Sequence, residues 1–101
     1  MRWYLSGKIT GDENYRQKFN SAEKLLKSKG YKVLNPVKGE KDGKTWTYYM
    51  KRDIKKLLKC DGIMLLEDYK TSKGAKLEKI IAVNLGYKVR ILLDNGDIIQ
   101  G

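Results

Sequence analysis

The sequence contains no histidine, and this absence removes the commonest catalytic and metal-binding arrangements. Without histidine, Ser-His-Asp and Cys-His nucleophile systems cannot form. The single cysteine, Cys60, cannot form an internal disulfide, and with no histidine beside it ordinary zinc sites are excluded as well. Any chemistry must come from carboxylates, hydroxyls, tyrosines or lysines, and we expect neither a metal ion nor a cofactor.

Long apolar runs are also missing. No stretch approaches the roughly 20 apolar residues that a membrane span needs. Polar residues follow the short apolar opening of the chain too soon for a signal peptide. We therefore expect a cytoplasmic protein that makes no contact with a membrane.

Positive charge is abundant: 22 lysines and arginines stand against 12 aspartates and glutamates, which gives a net charge of +10. This balance favours anionic partners such as phosphates, nucleotides or nucleic acid. A lysine-rich composition without functional meaning fits equally well. Because the lysines are spread along the whole chain, they do not form a dedicated nucleic-acid arm. We rank nucleic acid as an unlikely partner, although the charge alone leaves it open.

Strand-like and helix-like segments alternate along the 101 residues. Apolar runs at 2–6, 31–34, 63–66 and 89–93 predict strands, and the run at 63–66 is typical of a central strand covered on both faces. Asn95-Gly96 is a hairpin signal, so residues 97–100 are expected to return antiparallel. The order predicts a single α/β domain over residues 1–101, with three layers. We expect a mostly parallel, twisted sheet of four to five strands, flavodoxin-like or Rossmann-like, with helices on both faces.

Three helices are predicted between these strands from apolar residues at helical spacing. Gly30 and Gly86 are expected to end the first and third helices, and Thr47 is the candidate N-cap of the second. The predicted core faces are, in chain order, Tyr15, Phe19, Ala22, Leu25 and Leu26; then Met50, Ile54, Leu57 and Leu58; then Leu77, Ile80, Ile81 and Leu85.

Ligands of parallel sheets bind at the carboxyl ends of the strands, which here are followed by loops 7–12, 35–46 and 67–73. The first loop contains Gly7, Lys8, Thr10 and Gly11. It can present backbone N–H groups, a charge and a hydroxyl to a phosphate, but it matches neither the P-loop nor the dinucleotide fingerprint. From spacing alone, a tight turn is the better interpretation.

Glu78 is unusual because no lysine stands three or four residues away in so lysine-rich a chain. Small residues at these spacings leave room for a ligand beside the helix, and a carboxylate at such a border is costly unless it is paired or functional. A glutamate that pairs with a lysine elsewhere in the fold fits equally well. Asp53 is similar, with only Lys56 nearby as a weak, solvated partner.

An aromatic cluster stands at the predicted start of the second helix, formed by Trp46, Tyr48 and Tyr49. These rings could stack on a nucleobase. They are also typical of the core-facing start of a helix, and the sequence slightly favours that interpretation.

Three blocks together resemble the nucleoside 2-deoxyribosyltransferase superfamily, above all its small bacterial and phage members. The first block is YLSGKITG at 4–11, after the opening strand. The second is Asp53-Ile54, followed by Asp61 just before the apolar strand. The third is SKGAKLE at 72–78, with Ala82, Gly86 and Val89 at the expected intervals. The resemblance covers nearly the whole chain.

This resemblance implies a role for each matching residue. Glu78 would be the nucleophile, Tyr4 would position it, and Asp53 would contact the leaving base. Ser72 and Gly74 would hold the 5′ side of the sugar. The substrate-binding loop after the first strand would contribute Ser6, Gly7, Lys8 and Thr10. Related monophosphate hydrolases carry Ser and Arg where this chain has Lys8 and Thr10, and lysine lacks the two-pronged geometry of arginine.

The implied function is cleavage or base exchange at the N-glycosidic bond of a deoxynucleoside or its 5′-monophosphate, by a homodimer or larger homo-oligomer. A non-catalytic nucleotide-binding protein that uses the same pocket is the alternative, and a basic nucleic-acid-associated protein ranks third.

Overall fold

The computed structural model describes residues 1–101, and its elements alternate as the sequence predicts. They are β1 (Arg2–Ser6), α1 (Tyr15–Ser28), β2 (Lys32–Leu34), α2 (Trp46–Leu57), β3 (Gly62–Leu66), a 3₁₀ helix (Glu67–Thr71), α3 (Lys73–Asn84), β4 (Lys88–Leu92) and β5 (Ile98–Gln100).

One sheet contains all five strands, in the order β2-β1-β3-β4-β5. The first four strands are parallel, and β5 pairs with β4 in the antiparallel direction. The predicted α/β fold and its antiparallel return after Asn95-Gly96 are confirmed. The order turns back at β1, which lies between β2 and β3, so the carboxyl end of β1 is where a ligand site is expected.

Side chains alternate between two core layers, one on each side of the sheet. Trp3, Leu5 and Met64 pack with Phe19 and Leu26 of α1. The other layer is formed by α2 and α3 against the opposite face of β1 and β3, and it contains Tyr4, Leu57, Ile63, Leu65, Ala75 and Ala82. All five residues of β3 are buried. The predicted placement of helices on both faces is therefore confirmed.

The predicted core face of α3 is largely wrong. Leu77, Ile80 and Leu85 are exposed, with Ile80 at 59%, and only Ile81 of the predicted set packs against the core. The buried residues of this helix are Ala75, Glu78 and Ala82. The two alanines have small side chains and let the helix lie close to the sheet. The large apolar residues stand on the other side, where their helical spacing imitates a core face.

The predicted start of α2 is wrong by two residues. Thr45, not Thr47, is the N-cap, and its hydroxyl accepts a hydrogen bond from the backbone N–H of Tyr48 at 3.1 Å. Leu58 follows the last helical residue and is 54% exposed, so it does not belong to the core face. Both threonines suit the first turn by residue type, and only the extended backbone at Thr45 distinguishes the cap.

None of the three α-helices has the length and apolar character needed to cross a membrane.

Candidate active site

A buried glutamate lies against the end of β1. The small residues of α3 bring Glu78 to the sheet, where both of its oxygens accept hydrogen bonds. The Tyr4 hydroxyl donates to Oε2 and the Ser6 hydroxyl donates to Oε1, each at 2.7 Å. Neither donor is a lysine or an arginine, and no ion pair includes Glu78, so the alternative of a glutamate that pairs with a lysine elsewhere in the fold is wrong.

Burial dominates the proton affinity of this carboxyl group. Loss of hydration raises the pKa of Glu78 from 4.5 to about 7, and the nearby charge of Asp53 adds to the rise. The hydrogen bonds from Tyr4 and Ser6 act in the opposite direction, because they stabilise the carboxylate. Glu78 can therefore hold or lose a proton near neutral pH, as a reactive carboxylate needs.

Asp53 is another buried carboxylate, and it lies on the buried side of α2 together with Met50 and Leu57. Burial raises the pKa of Asp53, while the hydrogen bond and charge of Arg52 oppose that rise. Arg52 Nη2 lies 2.9 Å from Asp53 Oδ1, and this ion pair compensates part of the cost of burial.

A cavity of about 760 Å³ opens where the three predicted loops meet. It is large enough for a nucleotide-sized ligand. Three residues with carboxyl groups line it: Glu40, Asp53 and Glu78. Its remaining lining residues are Gly7, Ile9, Thr10, Tyr15, Lys44, Trp46, Tyr49, Met50, Thr71, Ser72, Lys73, Gly74 and Ala75.

The structure brings most of the predicted site residues together around this cavity. Six line it: Gly7, Thr10, Asp53, Ser72, Gly74 and Glu78. Tyr4 and Ser6 are fully buried and hold Glu78 from behind.

Lys8 is placed differently and does not line the cavity. Its backbone N–H donates to Asp68 Oδ1 at 3.0 Å, and its carbonyl accepts a hydrogen bond from Lys18 Nζ at 2.8 Å. The first contact joins the loop to the 3₁₀ helix, and the second joins it to α1.

Ser72 and Gly74 each have a structural contact besides their position at the cavity. The Ser72 hydroxyl accepts a hydrogen bond from the Ala75 N–H at 3.1 Å and so caps α3. A Cβ atom at Gly74 would lie 3.0 Å from Met50 Sδ. Glycine therefore permits the close approach of α2 and α3 beside the site.

Four further residues line the cavity and were not predicted as site residues: Tyr15, Glu40, Lys44 and Lys73. Tyr15 was predicted only as part of the core face of α1. Glu40 stands in a polar loop, and it accepts hydrogen bonds from the Tyr15 hydroxyl and from Arg52. Neither partner is at a spacing that a sequence pattern would reveal. Loop composition gave no signal for this residue.

The interpretation of the aromatic cluster as the core-facing start of a helix is wrong for Trp46 and Tyr48, which are 38% and 42% exposed. Trp46 and Tyr49 line the cavity, whereas Tyr48 is exposed outside it. Lys73 Nζ lies 4.4 Å from the centre of the Trp46 ring, so a positive charge stands at the same edge of the cavity. No group of three or more Asp, Glu or Cys side chains is placed to hold a metal ion.

Two solved structures share this fold. The first is a 2-deoxyribosyltransferase from Bacillus psychrosaccharolyticus, with a TM-score of 0.70 and 21% identity over 99% of this chain and 77% of that one. The second is a CMP N-glycosidase from Clostridium botulinum, with a TM-score of 0.62 and 22% identity over 92% of this chain and 71% of that one. The predicted resemblance is confirmed at the level of the fold.

A search of the curated proteins gives no match. One family model matches residues 1–91, which is most of the chain, and its description is "Domain of unknown function (DUF4406)". The chain therefore belongs to the DUF4406 family, and its fold is shared with a 2-deoxyribosyltransferase and a CMP N-glycosidase.

Proposed function

We propose that this protein cleaves or exchanges the N-glycosidic bond of a deoxynucleoside or a deoxynucleoside 5′-monophosphate, with Glu78 as the nucleophile. The observation that carries the proposal is the state of Glu78. It is buried at a nucleotide-sized cavity, held by two hydroxyl donors and paired with no cation. The activities named for the two structural neighbours, deoxyribosyl transfer and CMP N-glycoside cleavage, support the reaction class.

The reaction follows from carboxylate chemistry at a sugar carbon. One oxygen of ionised Glu78 attacks C1′ while the C1′–N bond breaks and its electron pair goes to the base. Asp53 donates a proton to the base, which leaves as a neutral molecule. Water or a second base then attacks C1′, gives its proton to Asp53, releases Glu78 as the carboxylate and gives net retention. The Tyr4 and Ser6 hydroxyl groups fix the orientation of the nucleophile throughout.

A 5′-phosphate has a favourable place at the start of α3. The first turn of this helix lines the cavity, and positive potential is expected at a helix N-terminus. Lys44 and Lys73 line the same cavity and supply positive charge, in place of the Lys8 that the sequence suggested. This arrangement supports the 5′-monophosphate as the preferred substrate.

A base-release assay tests the proposal. Purified protein is incubated with a panel of deoxynucleosides and their 5′-monophosphates, with and without a free acceptor base. We expect the wild type to release base, and we expect Glu78→Ala and Glu78→Gln to reduce release to background. Glu13→Gln removes an exposed carboxylate and serves as the matched control.

Tight binding of a nucleotide without turnover across the whole panel would instead support the non-catalytic binding protein. Base release that survives in Glu78→Ala would show that the assigned nucleophile is wrong.

A further inference from the structure

One guanidinium group joins the two carboxylates on the α2 side of the cavity. Arg52 Nε and Nη2 donate to Asp53 Oδ1 at 3.1 and 2.9 Å. Nη2 also donates to Glu40 Oε2 and to the carbonyl of Pro36, each at 3.1 Å. The side chains of Glu40 and Asp53 are both 4% exposed, so these contacts are made away from water.

The two oxygens of Asp53 are in different environments. Both contacts from Arg52 go to Oδ1, and Oδ2 accepts no hydrogen bond from the chain. Every side-chain oxygen that is fully shielded from solvent has a hydrogen-bond partner in this structure. Because Oδ2 has no partner, it is not fully shielded, and it is accessible from the cavity that Asp53 lines. Arg52 thus determines which carboxylate oxygen of Asp53 is free for a ligand.

Glu40 holds Arg52 from the opposite side. It belongs to loop segment 38–44, and every other residue of this segment is exposed. Its carboxylate accepts the Tyr15 hydroxyl on one oxygen and Arg52 on the other. A planar guanidinium fixed at Glu40, Asp53 and a backbone carbonyl has little freedom to rotate. The loop and Asp53 are therefore connected through Arg52.

We infer that Arg52 and Glu40 are positioning residues that hold Asp53 with Oδ2 directed at the departing base. The inference rests on the proposed function, and it assigns neither residue a bond-making step. Its consequence depends on the leaving group of the substrate. Loss of the Arg52 contacts should slow the turnover of substrates whose leaving group needs the Asp53 contact. The turnover of substrates whose leaving group departs unaided should change little.

The test compares two substrates in matched variants. One substrate is the best deoxynucleotide or deoxynucleoside from the base-release panel. The other is 4-nitrophenyl 2-deoxyriboside, whose nitrophenolate leaves without protonation. The variants are Arg52→Gln, Glu40→Gln and Asp53→Asn, together with the double variant of Arg52→Gln and Asp53→Asn. Arg90→Gln is the control, because Arg90 is partly buried and binds Tyr31, and it does not line the cavity.

We expect Arg52→Gln to lower kcat/KM for the natural substrate by about 10- to 100-fold, as misplacement of a reacting contact does. Glu40→Gln should act in the same direction but less strongly. The nitrophenyl substrate and the Arg90→Gln control should change little. In the Asp53→Asn background, Arg52→Gln should have almost no further effect, because both changes act through one contact.

The inference would be overturned if Arg52→Gln lowered kcat/KM equally for both substrates. It would also be overturned if the fold-losses of kcat/KM in Arg52→Gln and Asp53→Asn multiplied in the double variant. Thermal unfolding of each variant identifies losses that come from misfolding, and the isosteric Glu40→Gln keeps the test open if Arg52→Gln does not fold. A wild type that is inactive on both substrates would overturn the proposed function, and this inference with it. An active wild type without selectivity would overturn the inference alone.

Discussion

Glu78 shows how a single residue can be recognised by the partners that it lacks. In a chain with a net charge of +10, a surface glutamate would find lysines one helical turn away, and Glu78 finds none. The sequence therefore indicated that this residue was special, but it could not reveal the Tyr4 and Ser6 hydrogen bonds, which join residues more than seventy positions apart. Glu40 gave no comparable signal, because a glutamate in a polar loop is expected to be solvated.

The pKa of Glu78 predicts how activity depends on pH. A nucleophilic carboxylate must be ionised, so kcat/KM should rise with pH through about 7, where Glu78 loses its proton. Tyr4→Phe removes a hydrogen bond that lowers this pKa, so the rise should move to higher pH. The pH profiles of wild type and Tyr4→Phe measure this directly. A profile that is flat from pH 5 to 9 would contradict the role of Glu78.

The same pKa predicts how stability depends on pH. The folded state binds the Glu78 proton more tightly than the unfolded state does. This contribution is complete below pH 4.5 and is lost as pH rises through about 7. Glu78→Gln does not ionise and does not lose this contribution. Between pH 4 and pH 8, its free energy of unfolding should therefore rise by about 3 kcal/mol relative to that of the wild type.

Urea denaturation at several pH values measures this difference. Glu13→Gln makes the same change of side chain at an exposed position and serves as the control. A flat difference for Glu78→Gln would show that the carboxyl group is not held in a dehydrated site.

At the level of the elements, the order and type of strands and helices were predictable because four strands are short apolar runs, a turn signal precedes the fifth, and apolar residues at helical spacing mark the three helices. Which face of α3 is buried was not predictable from apolar spacing. Ala75 and Ala82 are buried because close contact with the sheet requires small side chains, while larger residues such as Ile80 remain outside. Glu78 and the small residues share the buried face of α3, so apolar spacing alone gives the wrong face for the helix that carries the candidate nucleophile.

The cap of α2 gives a matched pair of threonines for a test. Thr45→Ala removes the hydroxyl that accepts the Tyr48 N–H, and it should lower the free energy of unfolding by about 1 kcal/mol. Thr47→Ala changes an exposed residue inside the helix, whose hydroxyl makes no hydrogen bond in the structure, and it should change stability by only a few tenths of a kcal/mol. Denaturant unfolding of both variants checks the cap, and equal effects would contradict it.

At the level of the whole molecule, exposed apolar side chains are concentrated on one layer. Of the nine large apolar residues that are exposed, seven lie on α2, on α3 or directly after them: Trp46, Tyr48, Leu58, Leu77, Ile80, Val83 and Leu85. Apolar surface of this kind is typical of contact with another protein surface. It supports the association of copies that the resemblance implied.

We predict that the wild type sediments as a dimer or a larger assembly, and that Ile80→Glu shifts it towards the monomer. Ile99→Glu places the same charge at an exposed apolar position on β5, and it should leave the assembly unchanged. Sedimentation equilibrium distinguishes these results. A monomeric wild type, or equal effects of the two substitutions, would show that this layer is not the contact surface.

The most direct test of the central claim is the mass of the protein during turnover. Rapid quenching with the preferred substrate, followed by intact-protein and peptide mass spectrometry, should show one deoxyribosyl or phosphodeoxyribosyl group bound to Glu78, and no such group in Glu78→Gln. Base release that continues in Glu78→Gln without any adduct would contradict Glu78 as the nucleophile.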